Sequence, residues 1–164
     1  VDNIVTNSWN DQTDLGKPIQ ECIFELKQAY PKYAPYIAAY WYCYKDMDGG
    51  EIPGIYDVMK DLKNRGYHLY CLTNWSHETF PIVKEVHARL FELFDGIVVS
   101  GEEKMVKPNP EIYNLLLSRY NLKASESIFI DDRQRNVDGA NQVGIHGVLF
   151  KGSYELKEQL AQYL

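Results

Sequence analysis

Residues 127–141 read SIFIDDRQRNVDGAN. Ile128, Phe129 and Ile130 form a short apolar run that stops on two adjacent carboxylates, Asp131 and Asp132. A polar break follows, then Asn136, and then Val137, Ala140 and Val143 at helical spacing. An apolar run of this length between polar flanks predicts a buried parallel strand, and the change of period predicts a loop and a helix after it. Open α/β sheets bind ligands just beyond the carboxyl ends of their strands. Two carboxylates at such a place suit a hard cation such as Mg²⁺, which takes one or two carboxylates together with water and phosphate oxygens.

The segments on either side repeat the pattern. Ile55, Val58, Met59 and Leu62 share one helical face, and Gly66 is a natural stop. Residues 67–72 predict a strand that ends on Thr73, Asn74, Trp75 and Ser76, with Ser76 as the cap of a helix over 78–90. A strand over 96–99 leads into the loop GEEKMVKPNP, and Asn109 and Pro110 open a helix that runs to about Tyr120. A last strand over 147–150 and a helix from Ser153 complete the series. Strands alternating with helices predict an α/β fold with a doubly wound, parallel sheet.

Residues 1–50 have a different texture. Ile19, Ile23 and Leu26 fall on one helical face, Pro31 and Pro35 interrupt it, and an aromatic stretch carries Tyr36, Trp41, Tyr42 and Tyr44. Gly49, Gly50, Pro53 and Gly54 then form a joint. The division expected is a helical subdomain over 1–50 and an α/β core over 51–164. Aromatic stripes at helical spacing usually pack a core. Trp41 and Trp75 are nevertheless candidates for lining a substrate pocket.

Composition narrows the class. The 164 residues fit one domain with a small appendage and are enough to bury a core. Seventeen basic against 23 acidic residues give a net charge of −6, so there is no electrostatic case for nucleic acid or an anionic membrane as partner. Cys22, Cys43 and Cys71 are odd in number and widely spaced, which speaks against a disulfide frame or a zinc site and for a reducing, cytoplasmic setting. Asn74-Trp75-Ser76 fits the N-glycosylation pattern, but such a setting and a strand-end position argue against its use.

In a parallel sheet the carboxyl ends of the strands share one edge. Thr73 with Asn74, Lys107 in the next loop, and Asp131 with Asp132 should converge there. A hydroxyl and backbone N–H groups hold phosphate oxygens. A lysine is a compact charge for a phosphoryl group, and the acids hold the cation. Taken singly, each has a plainer reading, as turn residue, solvated loop charge or helix cap. The ordered set, each member after its own strand, favours a site.

The same residues resemble the haloacid dehalogenase-like hydrolase superfamily over essentially the whole chain. Thr73 in LYCLTNWS matches its second motif, Lys107 in KMVKPNPEIY its third, and Asp131-Asp132 in IFIDDRQRNVDGAN its acidic fourth. The resemblance implies a Rossmann-like core with residues 1–50 as a small helical cap. It implies catalytic roles for Thr73, Asn74 and Lys107, Mg²⁺ on Asp132 with Asp131 behind it, and a bracing role for Asn136. The family's first motif, an apolar strand ending on D-x-D whose first Asp is the nucleophile, has no match. Asp2 has one residue before it, and Asp11 and Asp14 follow no apolar strand. The nucleophile is therefore expected upstream of Val1, and this chain alone is expected to be inactive. An acidic fourth motif implies a Mg²⁺-dependent phosphatase of a small phosphorylated metabolite. A 2-haloacid dehalogenase and a non-catalytic binding module are the alternatives. Substrate identity and oligomeric state stay open.

Overall fold

The computed structural model describes residues 7–163. Ten α-helices and four strands follow one another among them: α1 (Asn7–Asp14), α2 (Ile19–Ala29), α3 (Ala34–Tyr42), α4 (Ile55–Asn64), β1 (Tyr70–Thr73), α5 (Phe80–Val86), α6 (Ala88–Phe91), β2 (Gly96–Val99), α7 (Ser100–Glu103), α8 (Pro110–Arg119), β3 (Ile128–Asp131), α9 (Gln134–Gln142), β4 (His146–Leu149) and α10 (Ser153–Leu160). The class is α/β. Strand β1 neighbours β2, and β3 neighbours β4. Strands β3 and β4 run parallel, with Ile128 opposite His146 and Asp131 opposite Leu149.

The chain divides into two compact units. Of the described residues, one holds those up to Gly49 with Thr73–Ala88 and Val99–Val106; the other holds Gly50–Leu72, Arg89–Val98 and those from Lys107 onward. The first is organised on α2. Ile19, Cys22 and Ile23 face Trp9 and Ile37 in a buried cluster, with Leu26, Tyr33 and Trp41 packed against it. The opening of α2 carries Pro18 where a capping side chain would sit, and Glu78 substitutes for it: its Oε2 accepts the Ile19 N–H at 2.7 Å. A carboxylate there answers both an orphan donor and the positive end of the helix.

In the second unit, Val58 of α4, Val148 of β4, and Leu156 and Leu160 of α10 form a buried cluster, joined by Ile55, Leu62, Ile128 and Phe150. Helix α9 lies close over β4 because residue 147 is glycine. A Cβ there would stand 2.7 Å from Val137 Cγ1 and 2.8 Å from the Val137 carbonyl oxygen.

Several elements differ from the sequence expectation. Helix α1 covers Asp11 and Asp14, a stretch with no helical spacing of apolar residues. Asp2 lies outside the described residues. The strand expected over 67–72 begins at Tyr70. The helix expected over 78–90 begins at Phe80 and breaks at His87. Pro81 has no N–H to give a preceding turn, so it must lie in the first turn of its helix. Ser76 accordingly closes a turn and caps nothing, its Oγ accepting the Glu78 N–H at 3.2 Å.

Candidate active site

Lys107, Asp131 and Asn136 come together in the second unit. Lys107 follows α7 and precedes α8; Asp131 is the last residue of β3; Asn136 sits in the first turn of α9. Lys107 Nζ donates to Asp131 Oδ2 at 2.7 Å and to the Leu72 carbonyl at 2.8 Å. The two side chains keep 9% and 6% of their exposure. The ammonium also stands 5.4 Å over the Phe129 ring, an attractive placement for a cation.

The other carboxylate oxygen is occupied as well. Asp131 Oδ1 accepts the Arg133 N–H at 2.9 Å and Asn136 Nδ2–H at 2.9 Å. Burial pushes this carboxyl upward, but the Lys107 charge and hydrogen bond, with the Arg133 and Asn136 donors, outweigh it and hold the group below the usual carboxylate range. Asp131 is therefore an anion committed to the lysine. Asp132, the next residue, is exposed, and its carboxylate takes no bond from a described residue.

The tight approach of α9 to Pro108 depends on Gly139. A Cβ at that position would lie 2.6 Å from the Pro108 carbonyl oxygen and 3.0 Å from Tyr113 Oη. Tyr113 is fully buried on α8, its hydroxyl donates to the Asn136 carbonyl at 2.8 Å, and its ring meets Phe129 edge-on at 5.3 Å. The sequence places Ile112 and Tyr113 within a helix but does not reveal this bond, because periodicity reports which side is buried and not where a phenol's hydroxyl ends.

Thr73 and Asn74 belong to the first unit, Thr73 as the last residue of β1. Both are half-buried. The segment that follows is pinned by Ser100, a second residue that sequence reading overlooked. Trp75 N–H donates to Ser100 Oγ at 2.9 Å, and Gly101 N–H donates to the Trp75 carbonyl at 3.0 Å. Trp41 and Trp75, the two pocket candidates, do not touch ring to ring. Tyr44 stands between them, stacked on Trp41 at 5.8 Å and edge-on to Trp75 at 6.5 Å, while Trp9 extends the series from the buried cluster.

For a metal, the donors at hand are oxygens. No group of three or more His, Cys, Asp and Glu side chains gathers into a metal-holding cluster among the described residues. Mg²⁺ needs no such cluster, since one or two carboxylates with water and phosphate suffice. The free carboxylate of Asp132 fits that requirement. So does Asn136 Oδ1, a buried acceptor that receives no hydrogen bond. Neither a thiolate nor an imidazole stands with them to favour a softer ion.

Comparison with known proteins identifies the family and the fold. The family profile described as haloacid dehalogenase-like hydrolase matches residues 10–144. The sesquiterpene phosphatase AstK of Aspergillus oryzae is 35% identical over 105 residues, covering 64% of this chain and 53% of that protein. The glyceraldehyde 3-phosphate phosphatase of Pyrococcus furiosus is 32% identical over 119 residues, covering 69% and 48%. The chain thus spans about half the length of the curated relatives it matches. Among solved structures, an HAD family enzyme from Bacteroides thetaiotaomicron in complex with magnesium superposes with a TM-score of 0.75 at 22% identity, over 91% of this chain and 77% of that one. The same enzyme with magnesium and inorganic phosphate gives 0.71 at 23% identity, over 86% and 73%. No helix among the described residues is long and apolar enough to cross a membrane.

Proposed function

The chain belongs to the haloacid dehalogenase-like hydrolases, and from that premise we propose that it serves a Mg²⁺-dependent phosphatase of a small phosphorylated metabolite, working through an aspartyl-phosphate. The observation that carries the reading is the division of labour between two adjacent carboxylates. Asp131 is spent on holding Lys107, and Asp132 is free to face a cation. A metal-independent dehalogenase would need no free carboxylate to hold a cation.

In this reading residues 1–50 are the cap and 51–164 the core. Thr73 and Asn74 hold phosphate oxygens. Lys107, held in place by Asp131, stabilises the phosphoryl group together with the attacking carboxylate. Asp132 would hold Mg²⁺, which when bound screens the substrate's charge from an anionic nucleophile. That nucleophile comes from outside the described residues, among which only β3 ends on a carboxylate. It attacks phosphorus and expels the alcohol; water then cleaves the acyl phosphate, returning the carboxylate and releasing inorganic phosphate. The organic part of the substrate would meet Trp41 and Trp75. The names of AstK and of the archaeal relative support a phosphate monoester, one on a terpene and one on a triose.

The test is hydrolysis of p-nitrophenyl phosphate by the whole protein, with Mg²⁺ against chelator. Hydrolysis that collapses with chelator is the expected result. Halide release from 2-chloropropionate in chelator would replace this reading with the dehalogenase one. Neither activity, under either condition, would leave a binding module.

A further inference from the structure

We propose that Tyr113 is a positioning residue for Lys107, acting through Asn136 and Asp131. The path is continuous within one compact unit. Tyr113 Oη donates to the Asn136 carbonyl at 2.8 Å, Asn136 Nδ2 donates to Asp131 Oδ1 at 2.9 Å, and Asp131 Oδ2 receives Lys107 Nζ at 2.7 Å. Each member is buried: Tyr113 at 0% exposure, Asn136 at 4%, and the lysine and aspartate side chains at 9% and 6%. With so little solvent, no water can readily take over a bond that is lost, so the orientation of each group is set by the next.

The geometry explains why a phenol is needed at 113. The Asn136 carbonyl lies in the first turn of α9, and the hydroxyl reaches it across the gap that Gly139 keeps open between α9 and Pro108. This anchors the start of α9 to α8, the helix that begins three residues after Lys107. The loop from Asp131 to Asn136 is thereby fixed at both ends, by β3 and by Tyr113. The Asn136 amide and the Arg133 N–H then both address Oδ1 and leave Oδ2 to the lysine. Burial, and secondarily the Asp131 charge, push the Tyr113 hydroxyl well above its ordinary value, so it stays a donor at any pH the fold tolerates. The same ring supports Phe129 edge-on, and Phe129 lies beneath the ammonium, so Tyr113 reaches Lys107 by a second, apolar route. Tyr113 touches no reacting atom.

The functional meaning of this role rests on the phosphatase reading, but the test does not. The whole protein labelled with ¹⁵N-lysine should give a slowly exchanging Nζ signal, assigned to Lys107 by its loss in Lys107→Met. Tyr113→Phe keeps the ring and removes the hydroxyl, and should speed exchange of that signal about tenfold, the scale of one net hydrogen bond. Tyr120→Phe is the control. It removes a phenol bonded to the Ile97 N–H and carbonyl in the same unit, at 3.0 and 3.2 Å, and should lower Tm without moving the Lys107 signal. If Tyr113→Phe fails to fold, Tyr113→Met offers similar bulk without the donor and carries the same expectation. Unchanged Lys107 exchange in a folded Tyr113 variant, or equal acceleration by the Tyr120 control, overturns the proposal. In the whole protein the expected companion is a fall in kcat at constant KM. Faster Lys107 exchange in a protein without phosphatase activity would uphold the positioning role and remove only the phosphatase reading.

Discussion

Lys107 and Asp131 form an ion pair from which solvent is nearly shut out, with Nζ and Oδ2 at 2.7 Å and less than a tenth of either side chain exposed. Such a pair contributes little net stability by itself, since each charge lost its water to make it. Its value lies in the cost of having one member without the other.

Lys107→Met should therefore destabilise the second unit by about 3–5 kcal/mol, the usual result of leaving a buried carboxylate without its lysine, and Asp131→Asn, which removes the charge that Lys107 Nζ meets at 2.7 Å, should also destabilise it. The double variant should cost clearly less than the sum, because the two residues share one interaction. Urea unfolding of the three variants measures this, and simple additivity would mean that the pair is not coupled.

The pair also gives stability a pH dependence. The Asp131 carboxyl is held below its ordinary range in the folded chain, so the unfolded chain binds the proton first. The stabilisation is complete above the ordinary carboxylate value of about 4 and is lost as pH falls through the depressed folded value. Asp95 works in the same window. Burial raises its carboxyl, while the Lys63 hydrogen bond, the Leu69 N–H and nearby positive charge bring it below the ordinary value. The comparison is thus between the wild type and Lys107→Met, followed by Tm from pH 6 down to pH 2.5. The variant should lose less stability on acidification.

Asp132→Asn separates function from stability. The side chain is exposed and unbonded, so the change should move stability by no more than about 0.5 kcal/mol. In the whole protein it should abolish stimulation by Mg²⁺. A large drop in Tm would show instead that Asp132 holds the loop together.

The three cysteines should react in a fixed order. Cys43 is exposed, Cys22 is buried, and burial pushes the Cys71 thiol up to about 11. Iodoacetamide at pH 8 should label Cys43 and spare Cys71 until denaturant is added, since the thiolate is the reactive form. Peptide mass spectrometry reads the order directly.

Glu78→Ala should lower stability by about 1 kcal/mol, the ordinary cost of an absent helix cap. Loss of helical signal near α2 in hydrogen exchange would localise the effect. Glu78→Gln, which keeps an acceptor for the Ile19 N–H, should recover most of it.

The alternation of strands and helices was legible because it is written in local spacing. The run Ile128 to Ile130 ending on Asp131, and the glycine and proline punctuation around α4 and α8, need no knowledge of the rest of the chain. Starts of elements were less legible, as at Phe80, where Pro81 overrides the capping pattern offered by Ser76. Helix α1 was hidden because NSWNDQTD has almost no apolar periodicity; Trp9 is its one apolar residue, and Thr13 is buried without signalling a core face. In the site, the type and order of Thr73, Lys107 and Asp131 could be read. Their partners could not. Nothing local in KPNPEIY tells that Tyr113 reaches Asn136, and nothing in VVSGEE tells that Ser100 grips the backbone of Trp75. Such bonds span tens of residues and exist only once the core has closed.

Ser100 carries one more implication, for where relatives of this chain can differ in length. It sits immediately after β2 at 0% exposure, and its hydroxyl and its neighbour's N–H take both backbone groups of Trp75, two residues past the end of β1. One residue added to 74–75 or to 97–99 would put both bonds out of step together. The two segments behave as a matched pair of rulers. Relatives of this chain should therefore place their insertions outside both segments.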